Sequence, residues 1–350
     1  MIDFRYHLVS IVAVFLALAI GIVLGSTELQ GATLDTLRQT ADSLTNRLND
    51  ANAQLSNNQA QLNADQKFYA IAEPKLLANT LTGDRIALIT EPGAPSSVIN
   101  GIKQAAGYAG ATITINVTLQ PQFNDLSGST FSSLETINSS LASQTGTVLS
   151  DAADLQTVNQ QQAAQLIAEA ILETSSTAIG LTATQAQSVL AEYAQAGYLT
   201  TSSAVTDAFT DPATLAVIVT PATAPADGQN DPANQVLLPL AQEFAGGSAA
   251  TVVAGSVSGS SSSDSAMSVL RSSSVSSLVS SVDNADTTLG QISTMWALAD
   301  QLAGGTPNSY GISGASAVSP NPAVAATPST KPTPSTTPTP TTTGKAKKKK

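Results

Sequence analysis

RIALITEPGAPSSVINGIKQAAGYAGATITINVTL, residues 85–119, is the stretch that decides the fold. RIALIT, from Arg85 to Thr90, is a short apolar run and reads as a buried strand. Pro92-Gly93 turns the chain. Ser96 is placed to cap a helix running to about Tyr108, which Gly107 and Gly110 close. ATITINVTL, from Ala111 to Leu119, is a second strand. A strand, helix and strand at this spacing imply a right-handed crossover and a parallel pair.

The same alternation continues downstream. After a Ser/Thr/Asn-rich connection the pattern predicts helices at Asp154–Glu173 and from Thr182 to Gln195. Thr182 and Gln185 form a capping box for the second, and Gly197 stops it. LAVIVT, Leu215–Thr220, is a third strand and Thr251–Ala254 a fourth, with a helix over Asn234–Phe244 between them. Asp264–Arg271 reads as helical, Ser276–Val282 as a fifth short strand, and Thr287–Ala303 as a closing helix ended by Gly304-Gly305. The expected fold is α/β: a mostly parallel three-layer sandwich over residues 80–312.

Upstream the period changes. Leu8–Leu24 is a run of 17 residues, apolar except for Ser10 and Gly21. At about 1.5 Å per residue it spans roughly 25 Å, near the hydrocarbon thickness of a bilayer. Residues 1–27 therefore read as a transmembrane anchor. Arg5 precedes the run and no basic residue follows before Arg38, so the N-terminus stays cytoplasmic and the rest lies outside. The competing reading is a cleaved signal peptide, for which Ala17-Leu18-Ala19 would be the site, although it lies inside the apolar run.

Residues 28–73 read as a coiled-coil stalk. Leu34, Ala41, Leu48, Leu55 and Leu62 recur every seven residues, and Leu37, Leu44, Ala51, Asn58 and Asp65 follow three later. This a/d stripe needs a partner. A second copy anchored in the same membrane would supply it through Leu34, Leu37, Leu44, Leu48, Leu55 and Leu62. The alternative partner is the chain's own domain. No Gly or Pro interrupts Ala32–Glu73, and Pro74 is expected to end the helix.

Composition excludes several classes of function. The net charge is −11, yet six of the fourteen basic residues lie beyond Asp300, after the last acidic residue. The body is thus strongly acidic, which argues against nucleic-acid binding. Cysteine is absent and the one histidine, His7, lies at the membrane end. Thiolate chemistry, Ser-His-Asp triads and His-ligated zinc are therefore excluded from the soluble part, and the chain is not expected to be an enzyme. Residues 313–350 form a Pro/Thr-rich tail expected to be disordered, ending in Lys347–Lys350. Its basic tip either meets acidic envelope polymers or headgroups, or only keeps the tail soluble.

Two turns are candidate sites. VDNADTTLG, Val282–Gly290, joins the last strand to the last helix, where parallel α/β sheets bind ligands. Asp283, Asp286 and Thr287 are the candidate ligand-binding residues, for a hard cation or a hydroxylated molecule. The plainer reading is that Asp286 or Thr287 caps the helix and Asp283 ties down the turn. The turn at Thr90–Ala94 could hold a phosphate at a helix N-terminus, without any P-loop or dinucleotide fingerprint.

The N-terminal RYH with SIVAVFLALAIGIVLGS (Ser10–Ser26) is similar to the N-terminus of the actinobacterial copper transporter family. The resemblance continues through the stalk, RIALITEPGA (85–94), SVDNADTTLG (281–290), and LADQLAGG with Tyr310-Gly311. It covers roughly residues 1–311. It implies copper transport or homeostasis in the cell envelope, with copper as a transported ion, through a pore or channel in the outer membrane. The reading from the residues alone is a membrane-tethered scaffold or interaction protein with an envelope polymer or protein as partner. The soft ligands available for Cu(I) outside the anchor are Met267 and Met295.

Overall fold

The computed structural model describes residues 4–150, 156–173, 181–202, 211–221, 231–256 and 265–321, without the side chains of 26–34. Of the Pro/Thr-rich tail expected to be disordered over 313–350, residues 313–321 are described and are tied to the fold, with Ala317 bridged to Tyr310 and the Ser313 amide bonded to Asp283. The rest of the tail and its lysine tip lie outside the described residues, as do Asp154 and Asp264. The chain divides into two units, Met1–Lys67 and Phe68–Lys350.

The first unit is helical. Helix α1 runs from Phe4 to Leu76, and its Phe4–Gly25 portion has a mean hydropathy of 2.9 with no residue buried. The described heptad leucines, Leu37, Leu44, Leu48, Leu55 and Leu62, are all more than half exposed. Pro74 does not end the helix as expected. The Leu77 amide reaches back over it to the Glu73 carbonyl at 3.0 Å, so the last turn closes despite the missing proline N–H.

The second unit holds a sheet of seven strands in the order β3-β2-β1-β4-β5-β6-β7. They are β1 (Arg85–Thr90), β2 (Thr112–Leu119), β3 (Leu199–Thr201), β4 (Leu215–Val219), β5 (Ala250–Ala254), β6 (Ser280–Val282) and β7 (Ser309–Tyr310). Every pair is parallel except β2 with β3. The helices of this unit are α2 (Ser96–Ala109), α3 (Gly128–Thr145), α4 (Val158–Ile171), α5 (Ala183–Gln195), α6 (Pro232–Gly247), α7 (Ala266–Ser272) and α8 (Thr288–Leu302).

Alternation along the strands builds two cores. Ala87, Ile89, Ala216, Ile218 and Val253 pack with α3 to α7 on one face. Ile86, Leu88, Val217, Val219, Val252 and Val282 pack with α2 and α8 on the other. The three-layer architecture expected from the strand–helix alternation is therefore present. In β2 the register skips from Ile113 to Ile115 opposite Ile86 and Ala87, so Thr114 forms a bulge and the alternation changes phase.

Several local expectations need correction. Ser96 is the first residue of α2, not its cap; Pro95 is the N-cap and supplies no side-chain acceptor. Gly107 lies inside α2, and Gly110, with φ of 83°, terminates it. The Ser/Thr/Asn-rich connection contains α3, whose buried stripe is Leu134, Asn138 and Leu141. The helix expected over 154–173 ends at Ile171, because Leu172 forms a strand-like bridge to Ala213. The strand expected over 276–282 is only β6, preceded by a 3₁₀ turn at Ser274–Ser277. The edge strands β3 and β7 were not expected.

Candidate functional site

The site is built from the ends of the strands. Asp283 follows β6 directly and is fully buried. Its Oδ1 accepts the Ile312 amide at 2.8 Å, and its Oδ2 accepts the Ser313 amide at 2.9 Å. Arg271, from the last turn of α7, donates Nη1 to Oδ2 at 2.9 Å. The same guanidinium donates to Ser281 Oγ at 2.9 Å, to the Ser313 carbonyl at 2.7 Å and to the Tyr310 carbonyl at 2.9 Å. A bidentate-capable fork thus stitches α7, β6 and the closing segment after β7 into one clamp.

Glycine makes the clamp possible. Gly311 has φ of 127°, and a Cβ there would overlap the Asp283 carboxylate. Gly290 has the same role one turn away, since a Cβ would overlap the Asn284 carbonyl. Thr287 caps α8: its Oγ1 accepts the Gly290 amide at 3.1 Å and donates to the Asn284 carbonyl at 2.8 Å. Asp286 is exposed in the same turn. The structure therefore gathers Asp283 and Thr287 into one turn, with their polar atoms engaged by the fold. Beside Arg271 lies a cavity of about 190 Å³, lined among others by Ser281, Asn308, Ser309 and Ser316.

Glu91 stands at the carboxyl end of β1. Its amide donates to the Val219 carbonyl, and its carbonyl accepts from Ala94 at 3.1 Å across a turn with Gly93 at φ of 85°. The side chain is 3% exposed, and Oε1 has no hydrogen-bond partner. Burial pushes its carboxyl up to about 8, so near neutral pH it holds a proton.

Met267 and Met295 do not converge. Met267 packs in the core on one face of the sheet, and Met295 in the core on the other. Among the described residues no three His, Asp or Glu side chains gather as metal ligands. Sequence reasoning missed Arg271 and Glu91. Arg271 is the single basic residue in a long Ser-rich stretch, and Glu91 is a single acid closing an apolar strand. An isolated charge in an apolar or small-residue context was the signal for both.

The family described as "Copper transport outer membrane protein, MctB" matches residues 1–320. The copper transporter MctB of Mycobacterium tuberculosis (strain ATCC 25618 / H37Rv) is 29% identical over 324 residues, covering 91% of this chain and 98% of that protein. The protein of the same description from Mycobacterium bovis is also 29% identical, with the same coverage. That of Mycobacterium leprae is 27% identical over 324 residues, covering 91% and 99%.

Proposed function

The chain belongs to the MctB family of copper transport proteins, and from that membership we propose that it serves to keep intracellular copper low, acting from the cell envelope. The observation that carries this reading is the extent of the match. It takes in the apolar helix, the heptad segment and the α/β unit together, up to residue 320.

In this reading Phe4–Gly25 is an uncleaved anchor, and the second unit lies on the extracytoplasmic side of the membrane. The exposed leucines from Leu37 to Leu62 pair with a second copy of the chain in parallel, the orientation that a shared membrane imposes. The α/β unit acts as a folded envelope component and not as the wall of a pore. A membrane-spanning barrel closes its strands on themselves, whereas the described strands here form an open sheet with helices on both faces. Copper is handled without a built-in thioether pair, since Met267 and Met295 lie on opposite faces. We assign Asp283 and Thr287 to closing the fold, and leave Asp286 as the exposed carboxylate of that crevice.

The test is copper content. Cells lacking the chain are expected to accumulate at least about twofold more copper than their parent under copper load, measured by elemental analysis of washed cells. The full chain, reintroduced, restores the parental level. Equal copper in the two strains would remove the reading and favour the second one, a tethered scaffold, which the exposed heptad stripe supports on its own.

A further inference from the structure

The cavity beside Arg271 is not filled by the clamp. Its volume of about 190 Å³ is many times the roughly 15 Å³ that one water needs. Its polar lining comes from the last turn of α7 and the turn after it (Arg271, Ser276), from β6 (Ser281), and from the segments entering and leaving β7 (Asn308, Ser309, Ser316). Asn308 and Ser316 are exposed, and the Arg271 side chain keeps 13% of its surface.

Donors outnumber acceptors on this lining. A guanidinium carries five N–H groups. Arg271 spends four of them, on Ser281 Oγ, Asp283 Oδ2 and the Ser313 and Tyr310 carbonyls, which leaves one on Nη2. Ser281 Oγ accepts from Arg271 Nε, and its own O–H has no acceptor among the described residues. Asn308 Oδ1 accepts the Ser309 amide at 2.8 Å, which sets the orientation of the side-chain amide and leaves both Nδ2–H groups unspent. Ser309 Oγ and Ser316 Oγ share one hydrogen bond at 2.9 Å, so one of their two hydroxyl protons is left over. The Ser276 hydroxyl is already spent on the Ser273 carbonyl. The lining thus offers a set of unspent donors, and no acidic side chain belongs to it.

The charges around the cavity select the ligand. Asp283, the counter-charge of Arg271, has no exposed surface and does not line the cavity. Asp286 is exposed beyond the carboxyl end of β6, whereas the cavity is lined by Asn308, at the amino end of β7. Asp300 lies on α8, across the sheet from the core that holds Leu270 of the cavity wall. Two segments outside the described residues adjoin these elements. Residues 257–264 hold one acid, Asp264, joined to α7 at the end away from Arg271, and the chain after 321 holds none. With Asp283 balancing Arg271, a dianion would find no net counter-charge. A single carboxylate brings two oxygens with about four acceptor positions, which match the unspent donors, and its bond to the guanidinium is charge-assisted.

We propose that the cavity between α7, β6 and β7 binds a small monocarboxylate, its oxygens held by Arg271 Nη2, Ser281 Oγ and Asn308 Nδ2. The site rests on the fold alone and is independent of the copper reading.

The experiment uses the full chain in lipid nanodiscs, with propionate and lactate as probes, each compared with its own uncharged amide by titration in saturation-transfer NMR. At least one carboxylate is expected to bind, at least about tenfold tighter than its amide. Asn308→Asp keeps the oxygen that accepts the Ser309 amide and replaces two donors by a negative charge. It is expected to raise the Kd of the carboxylate at least about tenfold with Tm unchanged. Ser316→Asp brings a negative charge to the other exposed wall and is expected to weaken binding in the same direction. Ser143→Ala, on the exposed side of α3, is expected to bind as the wild type does. Failure of both carboxylates to bind the wild-type chain overturns the proposal. Equal binding of acid and amide overturns it too, as does wild-type affinity in both aspartate variants. If Asn308→Asp lowers Tm, Ser316→Asp decides alone.

Discussion

Replacing Asp283 by Asn keeps the shape of the side chain and removes what the clamp uses. The Arg271 guanidinium loses its counter-charge, and one amide, of Ile312 or Ser313, faces an NH₂ group in place of an oxygen. Breaking one side of a buried pair costs about 3–5 kcal/mol, because the other charge is left buried. Asp283→Asn is therefore expected to lower unfolding stability by roughly 3 kcal/mol in denaturant titration. The double variant Arg271→Met/Asp283→Leu is expected to lose less than the sum of its single variants, since it leaves no orphan charge. Additive losses would show that the two residues act separately. Glu91 gives a second test at the same scale. Its folded-state pKa is raised from 4.5 to about 8, so the folded chain binds the proton more tightly than the unfolded one. The contribution is fully present below about pH 4.5, falls by up to about 1.4 kcal/mol per pH unit as pH rises, and is gone above about 8. Glu91→Gln cannot titrate. The stability difference between wild type and this variant should therefore shift against the wild type between pH 5 and 8, and a flat difference would refute the assignment.

Elements that bury both faces were legible, and those that depend on distant partners were not. RIALIT and LAVIVT are continuous apolar runs because each central strand is covered on both sides, and they correspond to β1 and β4 within a residue. The Thr182–Gln185 capping box formed as read, because its two hydrogen bonds lie within four residues. Helix α3 was hidden because its buried stripe includes Asn138. That side chain accepts from Tyr193 Oη at 2.6 Å and donates to the Asn159 carbonyl at 2.8 Å, partners far along the chain. β3 and β7 have three and two residues and exist only through the neighbours they pair with. Of the candidate site, the VDNADTTLG turn was visible, while its partner Arg271 carried no local pattern. The stalk is the element whose periodicity is plain, and the partner proposed for it is a second copy of the chain. The sequence has no cysteine, so a single one can report pairing. Leu48→Cys, at an a position, is expected to give a disulfide-linked dimer of the full chain under mild oxidation. Asn46→Cys, on the opposite face, is expected to stay monomeric. Equal cross-linking at both positions would mean collision without register, and none at either would remove parallel pairing through this stripe.

At the scale of the whole molecule the question is which side of the membrane each part occupies. Arg5 on one flank of the apolar segment, with no basic residue on the other before Arg38, is the charge pattern behind the proposal that the N-terminus lies inside. The Ala-, Ser- and Thr-rich α/β unit is acidic and carries few basic residues, and acidic residues weigh little in this rule, so its charge adds little to the orientation set by the flanks. The same cysteine-free background makes this measurable. Arg5 and Ser143 are both exposed, one before the apolar segment and one on α3. A membrane-impermeant maleimide is expected to label Ser143→Cys in intact spheroplasts and to label Arg5→Cys only after lysis. Labelling of Arg5→Cys in intact spheroplasts, with Ser143→Cys protected, would invert the topology and put the α/β unit in the cytoplasm, where an envelope role in copper export could not be sustained. A third pattern is diagnostic as well. If the mature chain carrying Arg5→Cys takes no label even after lysis, and runs shorter than the full-length chain, the segment is cleaved. The stalk would then lose the membrane as the constraint that makes its partner parallel, and the dimer expected from Leu48→Cys would have to form on heptad packing alone.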